Sequence, residues 1–189
     1  MLKDLIVKNR SYRRFHQDFK IEKETLRELI DLARLSASAK NLQPLKYILS
    51  CDPEKNDLIF QQLAWAGYLE DWQRPAEGEK PSAYIIVLGD TRISNEFKTD
   101  FGIAAQNILL GATEKGLGGC IIGSVVKTAL RQGFDIALRY EIINVIALGK
   151  PKETVVVEDI EPGKDIKYYR DSENVHHVPK RGLDEIIIA

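Results

Sequence analysis

Chemistry concentrates near the N-terminus, where Arg10, Ser11, Tyr12, Arg13 and Arg14 place three guanidinium groups beside a small hydroxyl. No carboxylate follows until Asp18. A guanidinium presents a planar fork of donors that matches phosphate oxygens and keeps its charge at any working pH. The stretch therefore suits a phosphate-bearing ligand. A solvated charge run, or a basic arm for nucleic acid, would have the same composition. A second basic cluster, His176-His-Val-Pro-Lys180-Arg181, lies near the other end of the chain. Its adjacent histidines would face opposite sides of a strand, and neither has a partner at metal-ligand spacing.

Gly116-Leu-Gly-Gly-Cys-Ile-Ile-Gly123 is the third candidate. It is not G-x-G-x-x-G, because Ile121 holds the last position, and no Lys follows Gly123 as a P-loop requires. The segment leaves a helical pattern and enters an apolar run, the reverse of a dinucleotide-binding turn. Gly116 reads as a helix C-cap in the left-handed region. Gly118, Gly119 and Gly123 exceed what a cap needs and would let backbone approach a flat ligand. Cys51 and Cys120 match no metal or redox spacing and read as buried thiols in a reducing compartment. No Ser-His-Asp or Cys-His arrangement can be assembled. Two basic clusters without a protein-borne catalytic group suit chemistry that belongs to a bound phosphorylated cofactor.

These residues need elements to position them. Leu2, Leu5 and Ile6 predict a short helix over 2–9. Leu26, Leu29, Ile30 and Ala33 predict a stronger one over 22–35. Small residues from Ser36 to Asn41 form a loop closed by Pro44. Leu45–Cys51 reads as a strand, and Asp52-Pro53 as a cap and first residue of a helix. Tyr84–Gly89 is a buried strand. The longest helix runs from about Ser94 to Lys115. It is apolar around much of its circumference, which places it in the centre or in a subunit interface. A weaker helix lies near 127–132. Tyr140–Gly149, rich in Ile and Val, is the best strand, and Pro151 stops it. Residues 155–170 read as a surface excursion. Leu183–Ile188 reads as an apolar strand that must pair with a sheet in its own or a partner subunit. Trp65, Tyr68 and Trp72 bring aromatics to the irregular stretch 64–81, within which 66–81 is the candidate excursion. It is either a lid over a flat ligand or aromatic packing beneath a loop, and packing is the plainer reading.

The chain has 189 residues, enough for one domain with a real core. Its formal net charge is −1, so no global field draws it to nucleic acid or an anionic membrane. No apolar run reaches membrane-span length, and the N-terminus is too short in apolar residues for a secretory signal. A cytoplasmic protein is expected.

Four segments together resemble the nitroreductase family. Arg10-Ser-Tyr-Arg-Arg-Phe15 is similar to its R-S-x-R-x-F signature, and Ser36-Ala-Ser38-Ala-Lys-Asn41-Leu-Gln43-Pro44 to its P-S-x-x-N-x-Q-P-W loop. Phe101–Ala112 with Gly116–Gly123 resembles its central helix and flavin-facing loop, and His177-Val-Pro-Lys180-Arg181 its C-terminal basic motif. Leu45 stands where the family has Trp, Asn9 where many members have Arg, and Ala37 and Ala39 replace a Pro and a hydroxyl residue.

The resemblance implies a single α+β domain over 1–189, with a mainly antiparallel central sheet surrounded by helices. It implies a homodimer that exchanges C-terminal strands (183–188) and holds FMN at its interface. Arg10, Ser11, Lys180 and Arg181 would hold the phosphate, and Arg13 would face the N1/C2 carbonyl edge of the isoalloxazine. Ser38 and Asn41 would come from the other subunit, and the backbone of Ile122 and Gly123 would approach flavin N5. The implied function is FMN-dependent reduction of nitroaromatics, quinones or similar conjugated acceptors by NADH or NADPH, in ping-pong fashion. The alternatives are flavin destruction or reductive dehalogenation on the same fold, and a non-enzymatic flavin-binding protein. Phe15 is expected in the core and Arg14 at the surface.

Overall fold

The computed structural model describes residues 1–189. Its central sheet is built on two long apolar strands, β3 (Ala83–Asp90) and β5 (Tyr140–Pro151), paired antiparallel. β2 (Leu45–Ser50) adds to the free side of β3. β4 (Gly118–Ile122) and β1 (Phe15–His16) share the other side of β5. Every pairing in this sheet is antiparallel, as expected. Between Val87 and Leu88 the register against β5 slips by one residue, leaving Ile143 as a bulge.

All eight residues of β3 are buried because both faces are covered. The alternation of the strand sends Ala83, Ile85 and Val87 to one side, against Leu26, Leu29, Ala104, Ala105 and Ile108. Those residues belong to α2 (Lys23–Arg34) and α4 (Lys98–Glu114). Tyr84, Ile86 and Leu88 face the other side, against Ile59, Phe60 and Leu130. These lie on α3 (Pro53–Phe60) and α5 (Lys127–Gly133). Asp52 caps α3, its side chain accepting the Lys55 N–H at 3.0 Å. Gly116, at φ +71°, ends α4 in the left-handed region.

Several expectations are corrected. α4 begins at Lys98, four residues later than its apolar pattern implied, because residues 91–97 turn after β3. It also leaves Gly102, Ile103 and Gln106 exposed. β5 runs through Pro151, which is tolerated because β1 pairs there only at the end of the strand. The expected excursion over 155–170 is a second sheet. β6 (Val155–Ile160) pairs parallel with β8 (His176–Arg181), and β7 (Tyr169–Arg170) pairs antiparallel with β8. Residues 183–188 are not a strand. In the single chain Leu183–Ile186 close one helical turn, the Ile187 N–H donating to the Leu183 carbonyl at 2.9 Å. An ion pair between Arg181 and Glu185 supports that turn. Leu183, Ile186, Ile187 and Ile188 are all exposed.

Candidate functional site

The arginine-rich stretch lies along the sheet edge. Ser11 bridges Gly119 in parallel fashion, and the Tyr12 N–H donates to the Gly119 carbonyl at 3.0 Å. Phe15 is fully buried, as expected, and pins the segment to the core. What fixes its course is Glu153. The Glu153 side chain is 1% exposed, accepts the backbone N–H groups of both Arg13 and Arg14, and pairs with Arg170 at 2.7 Å.

The three arginines separate by partner. Arg14 is not a surface residue: its guanidinium donates to both Glu79 carboxylate oxygens, at 2.8 and 2.6 Å. That hydrogen-bonded pairing raises the Arg14 pKa and lowers that of Glu79. Arg10 and Arg13 are half-buried and have no carboxylate partner. Arg10 donates from Nη2 to the Ile6 carbonyl at 2.7 Å, while its Nε is buried without a partner. Desolvation holds its pKa below the usual guanidinium value. Arg13 donates from Nη1 to the Ser11 carbonyl at 3.2 Å, meets His176 Nε2 at 3.2 Å, and lies 4.6 Å from the centre of the Tyr168 ring.

Arg13 opens onto a cavity of about 230 Å³, lined on one side by Cys120–Ser124 and on the other by Ala64–Gly67. Ile122 and Gly123 are therefore at the cavity that Arg13 faces. Gly118 and Gly119 answer to packing instead. A Cβ on Gly118 would sit 2.5 Å from Tyr12, and one on Gly119 would sit 2.5 Å from the Ala147 carbonyl oxygen. At Gly123 a Cβ would meet Asn144 Nδ2 at 3.2 Å, a side-chain atom, so packing demands glycine less strictly there.

The remaining expected site residues are not brought to this cavity. Ser38 donates to buried Asp100 at 2.5 Å and accepts the Gln43 N–H at 2.9 Å. It thereby organises a loop in which Lys40, Asn41 and Gln43 all have positive φ. With Leu45 and Tyr47 that loop borders a separate cavity of about 240 Å³. Asn41 accepts from Gln43 Nε2 at 3.2 Å and leaves its amide nitrogen exposed. Lys180 is exposed and carries no ion pair, whereas Arg181 is held by Glu185.

Arg170 and Tyr168, which no sequence pattern singled out, order the surroundings of Arg13. Arg170 stacks over Trp72 at 4.6 Å, Tyr68 meets Tyr168 at 5.0 Å, and Tyr168 meets His176 at 5.2 Å. The 66–81 segment is thus tied to β7. Trp65 belongs to the core, 6.0 Å from Phe60, which bears out packing at that residue. The adjacent histidines do face opposite environments. Burial, with Arg13 and Arg170 nearby, pushes the His176 pKa down to about 4. Hydrogen bonds to Asp171 and Glu158 push that of His177 up.

The fold and this rim define a small α+β protein with unpaired guanidinium groups beside a sheet-edge cavity. The chain belongs to the nitroreductase family, a family of oxidoreductases whose model matches residues 6–150. A Bacillus subtilis (strain 168) protein, YodC, provisionally named an NAD(P)H nitroreductase, is 27% identical over 177 residues, covering 78% of this chain and 88% of its own. A nitroreductase family protein from Streptococcus pneumoniae TIGR4 superposes over 100% of both chains with a TM-score of 0.71 at 19% identity. An FMN-dependent nitroreductase from Clostridium difficile R20291 gives 0.65 at 24% identity, covering 89% of this chain and 92% of its own. The two structural likenesses are of fold. No helix is long and apolar enough to cross a membrane.

Proposed function

We propose that this protein uses FMN to pass hydride from NADH or NADPH to nitroaromatic, quinone or similar conjugated acceptors. The observation that carries the reading is the pair of half-buried arginines without carboxylates, Arg10 and Arg13, on either side of Ser11. A guanidinium that loses hydration without gaining a carboxylate is favourably placed for an anionic ligand. The buried, unpartnered Arg10 Nε fits a phosphate-bearing group, and the names of the Bacillus subtilis and Clostridium difficile relatives agree with donor and cofactor.

Bound here, FMN would supply hydride acceptance from nicotinamide and delivery to the acceptor. The protein's own residues bind and polarise. Arg10, Ser11, Lys180 and Arg181 would hold the phosphate, Arg181 exchanging Glu185 for it. Arg13 would place a fixed cation where negative charge gathers on the ring, an electrostatic stabilisation that needs no rearrangement at the moment of reaction. The Ile122 and Gly123 backbone, which lines the cavity, would border the reacting edge. Donor and acceptor use the same position in turn, which makes the kinetics ping-pong.

Ser38 and Asn41 lie on a loop away from the Arg13 cavity, and α4, α1 (Leu2–Lys8) and the C-terminal turn expose apolar residues. A homodimer that brings Ser38 and Asn41 to the partner's flavin accounts for both. Sedimentation as a single 21.4 kDa chain would remove that part of the reading. Initial rates with varied NADH or NADPH and a quinone are expected to give parallel double-reciprocal lines. Intersecting lines would overturn the shared site, and no oxidation of either nucleotide with FMN present would overturn the oxidoreductase.

A further inference from the structure

Behind Arg13 sits a residue that the proposed chemistry does not use. His176 is 1% exposed at the start of β8, and its Nε2 lies 3.2 Å from Arg13 Nη1. Arginine has donors and no acceptor, so a hydrogen bond at that distance requires Nε2 to carry a lone pair. The imidazole is then neutral, with its single hydrogen on Nδ1. That Nδ1 is buried and has no partner in the chain.

We infer that His176 is a positioning residue for Arg13, a neutral acceptor that holds the guanidinium beneath Tyr168 at the mouth of the cavity. The inference rests on the proposed flavin site for its consequence, but the pairing itself belongs to the protein alone. Three contacts define the guanidinium: the Ser11 carbonyl, the face of Tyr168 and His176 Nε2. Ser11 and His176 meet the same Nη1, one from the backbone of the arginine stretch and the other from β8, so the imidazole supplies the contact that ties this nitrogen to a distant element.

The charges around the imidazole agree. Arg13 approaches from the N-terminal segment, Arg170 from β7, and His177 from its own strand. Tyr168 packs on the ring as a neutral group. All three charged neighbours are basic. Glu153 answers Arg170 at 2.7 Å, leaving Arg13 as the cation without an acidic side-chain partner. With burial, that surrounding lowers the His176 pKa to about 4, so the neutral form persists across the physiological range. Protonation would remove the acceptor and set two cations face to face.

The test begins on flavin-free protein. Long-range ¹H–¹⁵N correlations of the three histidines should show one ring protonated on Nδ1 and unchanged between pH 8 and pH 5.5, on the order of 1.5 units above its shifted pKa. Arg13→Leu should raise that pKa and mix the tautomers. A His176 ring protonated on Nε2, or titrating near its ordinary value, would overturn the pairing even if no variant folds. The second arm uses FMN-loaded protein. His176→Phe should lower the flavin's reduction potential as far as Arg13→Ala does, the double variant should add nothing, and His176→Gln, which keeps an acceptor, should restore the wild-type value. An unchanged potential in His176→Phe would overturn the positioning role. Wild-type protein that binds no FMN would instead refute the flavin reading, while the first arm still decides the Arg13–His176 pair.

Discussion

Glu153 and Arg13, 140 residues apart in sequence, are joined by a hydrogen bond from the Arg13 backbone N–H to the Glu153 carboxylate. The same carboxylate accepts from Arg14 and pairs with Arg170, whose side chain is 11% exposed. One buried anion thus holds the arginine stretch in the course that aims Arg13 at the cavity. Glu153→Ala would strand Arg170 and two backbone N–H groups. Removing one partner of a buried pair typically costs about 3–5 kcal/mol. Urea unfolding should show a midpoint lowered accordingly, with Glu153→Gln, which retains an acceptor, less affected. Equal stability of Glu153→Ala and wild type would show that the carboxylate does not organise the stretch.

The glycine segment divides by what surrounds it. Gly119→Ala drives a Cβ to 2.5 Å from the Ala147 carbonyl oxygen, a backbone atom that cannot step aside without breaking the β4–β5 pairing. Overpacking of this kind costs about 1–3 kcal/mol. Gly123→Ala meets only a side-chain amide at 3.2 Å. Thermal unfolding should fall clearly for the first variant and little for the second, whereas FMN affinity should respond to Gly123→Ala. The opposite ranking in stability would contradict the packing explanation.

His177 carries a pH dependence of known sign. Asp171 and Glu158 meet its two ring nitrogens at 3.1 and 3.0 Å, favouring the imidazolium and raising its pKa in the folded state. Its stabilising contribution is fully present below about pH 6.5, the unfolded value, and is lost as pH rises through the higher folded value. His176 acts oppositely. Its depressed pKa means that acid favours the unfolded chain from about pH 6.5 down to about 4. Replacing His177 with Gln should flatten the alkaline limb of the stability profile and leave the acid limb. Loss of the acid limb instead would reverse the assignment of the two histidines.

Much of the fold was legible because its signals are local. The apolar run of β3, the Ile/Val content of β5 and the stripe of α2 each state their element without reference to distant residues. The second sheet was not legible. β6 and β8 pair in parallel across the intervening chain, and their partly buried residues give no continuous apolar run. Leu183–Ile188 differs for another reason: its apolar residues signal a strand, yet in the single chain a local helical turn and the Arg181–Glu185 pair take its place. At the site, the dense arginines were visible, but their separation into a core-paired Arg14 and unpaired Arg10 and Arg13 depends on Glu79 and Glu153, which nothing near Arg10 announces. His176 was visible only as one of two adjacent histidines, its tie to Arg13 spanning 163 residues.

Arg10 and Arg13 should also differ in what their loss does. In the proposed site Arg10→Ala would remove a charge-assisted phosphate contact, and such bonds contribute about 1.5–3 kcal/mol, so the FMN Kd should rise roughly 10- to 100-fold. Arg13→Ala should mainly lower the potential of the bound flavin. Equilibrium binding and potentiometry on the same preparations separate the two. An Arg10→Ala protein with wild-type affinity would take Arg10 out of the phosphate site.

The visible spectrum of the purified protein, recorded anaerobically before and after NADH or NADPH, tests the central claim most directly. The account predicts a yellow protein, or one made yellow by added FMN, whose absorbance is bleached by one of the two nucleotides and restored by a quinone or a nitroaromatic. A protein that stays colourless after reconstitution with FMN would contradict it, and a yellow protein that neither nucleotide bleaches would contradict the assigned donor.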